Sequence, residues 1–219
     1  MTDLLTQVQQ YSREKVGTDT SGHDYFHAKR VAKTAQELAH DTTEIDMELM
    51  LTTAYLHDVI DDKVAADPVA ARKDLVEFLK SLGWSLTRQV AFFAIIEQLS
   101  FSNELEFGKA HLSLEGQLVQ DADRLDALGA IGILRTAYYG GHTDSPLYDP
   151  QQPPQTFETK AAYRKKGPVL NHFYEKLFKL PASMNTATGK KEADRRVRFM
   201  QDFLLEFYSE CGEDFNFPA

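Results

Sequence analysis

An all-α fold follows from three observations on the 219 residues. Apolar residues recur at spacings of three and four along most of the chain. Runs of β-branched residues between turn signals are scarce. Several of the apolar stretches carry helix-boundary residues at their ends.

The spacing predicts helices at 2–16, 23–40, 46–60, 68–82, 85–99, 115–139, 158–166, 168–180 and 187–210. In the second, Val31, Thr34, Ala35 and Leu38 form an inward stripe; in the third, Leu49, Met50, Thr53, Ala54 and Ile60 do. Asp67-Pro68 supplies an N-cap and a first-turn proline for the fourth helix, and Gly83 follows its end. Ser85 caps the fifth. Gly140-Gly141 closes a long central helix, and Gly167-Pro168 separates the two helices that follow. The longest loop, Gly140 to Phe157, holds four of the eight prolines; it is either a rigid surface excursion or a flap over a site. No repeat of 20–50 residues is visible, which excludes a solenoid. The length suits one domain with a full core, or at most two small ones.

The net charge of −9 argues against a nucleic-acid partner. The one cysteine, Cys211, permits no internal disulfide and no thiolate metal cluster. No secretory leader or membrane span is legible, so a cytoplasmic location without membrane association is expected. Charge is uneven: 11 Lys/Arg face 4 Asp/Glu between Glu158 and Met200. Such clusters are ordinarily solvated faces, but they also suit an anionic ligand.

Polar residues interrupt the inward stripes at a few places. His23 and His27, four apart, share the stripe of the second helix. His57 sits near the middle of the inward arc of the third, with Asp58 and Asp61 on its flank. Asp123 and Asp126 point into a stripe of Val119, Ala122, Gly129, Ala130, Ile133 and Ala137, whereas Asp121 points to the face of Gln117 and Arg124. Inward carboxylates need cations, either arginines or a metal ion. His27, His57, Asp58 and Asp123 make a mixed nitrogen–oxygen set that suits Mn²⁺, Fe²⁺, Co²⁺, Ni²⁺ or Zn²⁺ better than Ca²⁺. Four such ligands leave two positions open on a six-coordinate ion. Glu97, on the apolar stretch VAFFAIIEQLSF, either supports the site or faces solvent.

These residues resemble the H…HD…D signature of the HD-domain metal-dependent phosphohydrolases. SGHDYFHAKRV (21–31), LHDVIDDK (56–63) and EGQLVQDADRLDALGA (115–130) resemble more closely the small stand-alone bacterial HD proteins of the YedJ/YpgQ type. So do HFYEK (172–176) and NTATGKK (185–191). The resemblance spans roughly residues 20–210. It implies an all-α HD fold with one divalent ion between helices, held by His27, His57, Asp58 and Asp123. The domain picture is a single HD domain over 1–219. Its core lies at about 20–140, and a C-terminal helical part at about 158–210 covers the site.

The ion is expected to be Mn²⁺, with Mg²⁺, Fe²⁺, Co²⁺, Ni²⁺ and Zn²⁺ as alternatives. The spacing of His111, His142 and His172 does not match a two-metal branch. The resemblance further implies a nucleotide pyrophosphohydrolase that splits a nucleoside triphosphate to monophosphate and pyrophosphate. Asp61, three residues past the motif aspartate, is then the catalytic acid/base, and His23 orients water or binds phosphate. Lys63, Lys160, Arg164, Lys190 and Arg195 are candidate phosphate contacts; Asp62 and Asp126 support the ligands from behind. Tyr138, Tyr139, Tyr148, Phe157 and Tyr163 are candidates to stack a base. The alternatives are an HD nucleotidase, a cyclic-nucleotide or guanosine-tetraphosphate phosphodiesterase, a non-catalytic nucleotide-binding module, and a structural helical protein with a buried salt-bridge network. The oligomeric state is left open by the sequence.

Overall fold

Polar caps start most of the helices in the computed structural model, which describes residues 2–17, 19, 22–62, 64–99, 108, 111–156 and 167–212. Every regular element among these is helical. They are α1 (Thr2–Val16), α2 (Tyr25–Leu38), α3 (Met47–Leu56), α4 (Pro68–Ser81), α5 (Leu86–Ile96), α6 (Leu114–Asp126), α7 (Gly129–His142) and α8 (Asn171–Glu175). A 3-10 turn (Leu177–Lys179), α9 (Leu180–Ser183) and α10 (Ala187–Glu210) complete the order. The helix expected at 158–166 lies outside the described residues, as do Lys63, Phe157, Lys160, Tyr163 and Arg164. No described helix is long and apolar enough to cross a membrane.

Asp24, Asp46, Asp67, Ser85, Ser113 and Thr186 each accept a backbone N–H of the first turn of α2, α3, α4, α5, α6 and α10. At the other end of α4, Gly83 takes the left-handed conformation (φ +80°). Its N–H reaches Lys80 O and that of Trp84 reaches Leu79 O, which satisfies the last carbonyls.

Three boundaries differ from the sequence expectation. α3 stops at Leu56 rather than residue 60. His57 takes over as the C-cap and turns its Nδ1 to Ala54 O at 2.9 Å, and the acidic Asp61-Asp62 pair opposes a further helical turn. The central helix is two helices. It breaks at Ala127-Leu128, and Gly129 (φ +73°) opens α7 without a side-chain cap. Arg196 packs on Gly129 and donates to Leu125 O, so the end of α6 is finished by a residue of α10. α7 then runs through Gly140 and Gly141 to His142. The stretch expected as 168–180 is divided, because Lys176 leaves helical geometry (φ −134°, ψ −57°) while Phe173, Leu177 and Leu180 all bury.

The core has two adjoining parts. One gathers α1 to α6 around Val8, Val31, Met50, Leu75, Phe92 and Val119. The other gathers Leu125, Leu128, Phe173, Leu177, Met200 and Leu204 from α6 onward. α6 runs through both, and its Asp121 is wholly buried. That carboxylate accepts from Asn185 N, Thr186 N and Thr186 Oγ1 at 2.7–2.8 Å and from Asn185 Nδ2 at 3.0 Å. Asp121 is thus buried beneath the start of α10, and Arg124, also buried, donates to Ser183 O just before it. Gly189 permits the approach: a Cβ there would stand 2.5 Å from Asp121 Oδ2 and 2.9 Å from Thr186 Oγ1. Gly189→Ala is expected to lower stability by about 1–3 kcal/mol, read as a fall in Tm with the far-ultraviolet spectrum unchanged.

The described part of the loop after α7, residues 143–156, is pinned at several points. Val169 N–H donates to Pro146 O, Leu170 N–H to Leu147 O, Asn171 Nδ2 to Gln152 O, and Gln155 N–H to Glu175 Oε1. Tyr148 packs on Phe207 and Tyr208, while Tyr138 and Tyr139 are exposed on α7.

Candidate metal centre

α2 packs against both α3 and α6, and α3 packs on α6. Each of the three brings donor atoms to their common junction. Asp24 accepts the His27 N–H at 2.8 Å, which starts α2 and fixes the backbone of His27 in the first turn. The end of α3 presents His57 and then Asp58. α6 presents Asp123 and, one turn later, Asp126.

The two Nε2 atoms of His27 and His57 are 3.3 Å apart. Asp58 Oδ2 lies 3.3 and 3.2 Å from them, and Asp123 Oδ1 lies 3.4 and 3.7 Å from them. Among the described residues, His27, His57 and Asp123 form a group of metal-ligating side chains with donor atoms mutually within 4.8 Å. Asp58 Oδ2 touches both imidazoles as well. Two ligands of one ion with bonds of about 2.0–2.3 Å stand about 3.3 Å apart.

The protonation pattern points the same way. Ala54 O can only accept, so His57 Nδ1 carries its proton. His27 Nδ1 faces Asp126 Oδ2 at 2.7 Å and donates to it. In the neutral rings both Nε2 lone pairs therefore converge with carboxylate oxygens, four acceptors facing one another. With the rings neutral, buried Asp58 Oδ2 has no donor to accept from. Such a set demands positive charge, from protons or from a cation. Burial opposes protonation of His27, but its hydrogen bonds to Asp123, Asp126 and Asp58 outweigh burial and raise its pKa to about 9. His57 is raised too, against the effect of burial, by Asp58 and Asp123. Burial favours the neutral forms of Asp58 and Asp123, yet the imidazoles hold both well below the usual carboxylate range. A divalent ion supplies the same two charges without protons. The donor set thus fits one such ion. His27 is wholly buried whereas 33% of the Asp123 side chain is exposed, so the cluster opens to solvent on the Asp123 side.

Asp126 does not face solvent or the other carboxylates. It accepts from His27, from Arg30 Nε (2.7 Å) and Nη2 (3.0 Å), and from Arg135 Nη1 (2.5 Å). Arg30 and Arg135 were not among the candidates from sequence. Arg30 lies three residues past His27 on the same helix, which is a usable signal; Arg135 is placed by the turn between α6 and α7.

The remaining candidates are more dispersed. His23 precedes the cap of α2 rather than continuing the helical stripe. Its backbone N–H donates to Asp19, and its ring still meets that of His27 edge-on at 5.8 Å. Asp61 is half-buried in the turn after Asp58, with its N–H on Asp58 O, and Asp62 is exposed. Lys190 and Arg195 are exposed on α10 and pair with Asp194 and Glu192 of their own helix. Glu97 is exposed and pairs with Arg72, which lies over the Phe93 ring. His111 and His142 are exposed. Burial and nearby Lys176 lower the pKa of His172 to about 3.

Comparisons with known proteins agree with this geometry. Residues 24–128 match the model of the HD domain. The uncharacterized protein YpgQ of Bacillus subtilis (strain 168) is 32% identical over 200 residues, covering 91% of this chain and 90% of its own. A crystal structure of YpgQ in complex with ADP superposes with a TM-score of 0.72 at 28% identity, covering 95% of each chain. An HD-superfamily hydrolase from Bacillus thuringiensis gives 0.74 at 36% identity, over 97% of this chain and 99% of that one. A protein from Lactobacillus plantarum gives 0.85 at 44% identity, over 98% and 99%. With the helical fold, the His/Asp cluster and these likenesses together, the chain belongs to the HD-domain family, among its small YpgQ-like members.

Proposed function

We propose that this protein is a metal-dependent phosphohydrolase that splits a nucleoside triphosphate into monophosphate and pyrophosphate. The observation that carries the reading is the convergence of four atoms from His27, His57, Asp58 and Asp123, all of them acceptors when the imidazoles are neutral. A relative crystallised with ADP supports a nucleotide as ligand.

His27, His57, Asp58 and Asp123 would hold the ion, with Mn²⁺ favoured among Mg²⁺, Fe²⁺, Co²⁺, Ni²⁺ and Zn²⁺. Such an ion, when bound, supplies a Lewis acid and a water of lowered pKa. Asp61 is the proton acceptor for the attacking water. Its backbone bond to Asp58 O keeps it in the turn that carries the ligands. His23, at the edge of the cluster, orients that water or a phosphate oxygen. Asp126 keeps the His27 ring turned so that Nε2 points into the cluster. Asp62 supports the same turn from its exposed side. Lys63, Lys160, Arg164, Lys190 and Arg195 attract the phosphates on approach.

The test is product analysis. Chelator-stripped protein is incubated with nucleoside mono-, di- and triphosphates, with and without Mn²⁺. Monophosphate plus pyrophosphate, only with metal, is the expected result. Orthophosphate alone would move the protein to the nucleotidase branch, and no turnover with any metal would refute the triphosphate reading.

A further inference from the structure

Two guanidiniums stand against the donor cluster, and both hydrogen-bond to one carboxylate, Asp126. Arg30 lays Nε and Nη2 on Asp126, and Arg135 lays Nη1 on the same carboxylate and 2.9 Å from His27 Nδ1. With a divalent ion balancing Asp58 and Asp123, Asp126 is shared between two guanidiniums, and Asp24 acts on Arg30 from further away. Both side chains are partly exposed: 37% of that of Arg30 and 24% of that of Arg135. The Nε–Nη2 edge of Arg135 faces Gly22, where a Cβ would come within 3.5 Å of Nε. Gly22 adopts φ +96°, a conformation open to glycine, and so lets the chain pass beside this guanidinium before reaching His23. Lys190 and Arg195, in contrast, are held by acids of their own helix.

We propose that Arg30 and Arg135 form an anion-binding pair that takes a phosphoryl group of the nucleotide next to the one undergoing hydrolysis. The inference rests on the phosphohydrolase reading above and names the residues that recognise its substrate class. Guanidinium groups match phosphate oxygens in a planar, two-pronged geometry. Asp126 orders both side chains before the ligand arrives, so little rotamer freedom is lost on binding. A monophosphate offers no neighbouring phosphoryl group, so the pair discriminates in favour of di- and triphosphates.

The experiment uses Arg135→Gln, Arg30→Gln and Arg135→Lys in the full chain. Calorimetry gives the Kd of Mn²⁺ on stripped protein, then that of inorganic pyrophosphate and of ADP on the Mn²⁺-loaded form. Loss of a charge-assisted contact is expected to weaken pyrophosphate about 10- to 100-fold in each Gln variant, with lysine recovering part of it. The Mn²⁺ Kd is expected to change far less. The proposal is overturned if the Gln variants weaken Mn²⁺ about 10- to 100-fold, as loss of a ligand's support does, while pyrophosphate affinity of the loaded form stays unchanged. The arginines would then only brace Asp126 and His27. Circular dichroism checks folding, and the more exposed Arg30 carries the test should Arg135→Gln not fold. If the wild type hydrolyses no nucleotide yet binds pyrophosphate through these arginines, the phosphohydrolase reading fails and the anion-binding pair stands.

Discussion

Replacing Asp58 by alanine is expected to abolish the thermal response to Mn²⁺ and to lower turnover about 10³-fold or more. Metal polarisation contributes several kcal/mol to a phosphoryl-transfer barrier, and each 1.36 kcal/mol is about a tenfold change in rate. The thermal effect follows from linkage. A ligand at 100 times its Kd stabilises the folded state by about 2.7 kcal/mol, which for a chain of this size is about 5–11 °C in Tm. The wild type should show that rise on adding Mn²⁺ and lose it with a chelator. In Asp58→Ala, the atom that touches both imidazoles is gone and the rise should vanish. A wild type whose Tm ignores both metal and chelator would make the cluster a buried network of imidazoles and carboxylates, and the metal reading would fail.

The second large effect concerns Asp121. Asp121→Ala removes the wholly buried acceptor of Asn185 N–H, Thr186 N–H and the Thr186 hydroxyl, on two residues that are themselves half-buried. Unsatisfied buried groups cost about 1–3 kcal/mol each, less where the segment relaxes. A total loss of about 3–5 kcal/mol is therefore expected, measured by urea unfolding. The Mn²⁺ affinity of the variant, measured below its transition, should stay near that of wild type, because Asp123 and Asp126 leave α6 on another side. A variant as stable as wild type would show that the start of α10 is held by its apolar contacts alone.

How much of this was legible beforehand depended on whether the feature is local. The caps Asp67 and Ser85, the glycine after α4 and the full extent of α10 are set within a few residues, and the sequence carries them. The donor residues stand out because imidazoles and carboxylates interrupt apolar stripes. The turn between α6 and α7 carries one local mark, Gly129, and no side-chain cap. Leu128 is a poor cap, and what finishes α6 is Arg196, about seventy residues away. A wheel drawn through a continuous central helix therefore says nothing useful about Arg135, which reaches His27 only after that turn. Asp121 is hidden for a related reason. Its face is polar in sequence, and its burial depends on the docking of Asn185 and Thr186. Gln117 and Arg124 on the same face give no apolar signal of burial.

His57 is the residue on which α3 ends, and that has a consequence for length rather than for composition. Each residue added to an α-helix advances it by 1.5 Å and rotates it by about 100°. Asp46 fixes the start of α3 through its cap on Leu49, and the imidazole must emerge at the other end facing His27. A one-residue insertion or deletion between these points would swing His57 and Asp58 out of the junction together, however conservative the inserted residue. This stretch works as a ruler, and its tolerance is set by register: substitutions facing away from the junction leave it calibrated, whereas a change in count does not.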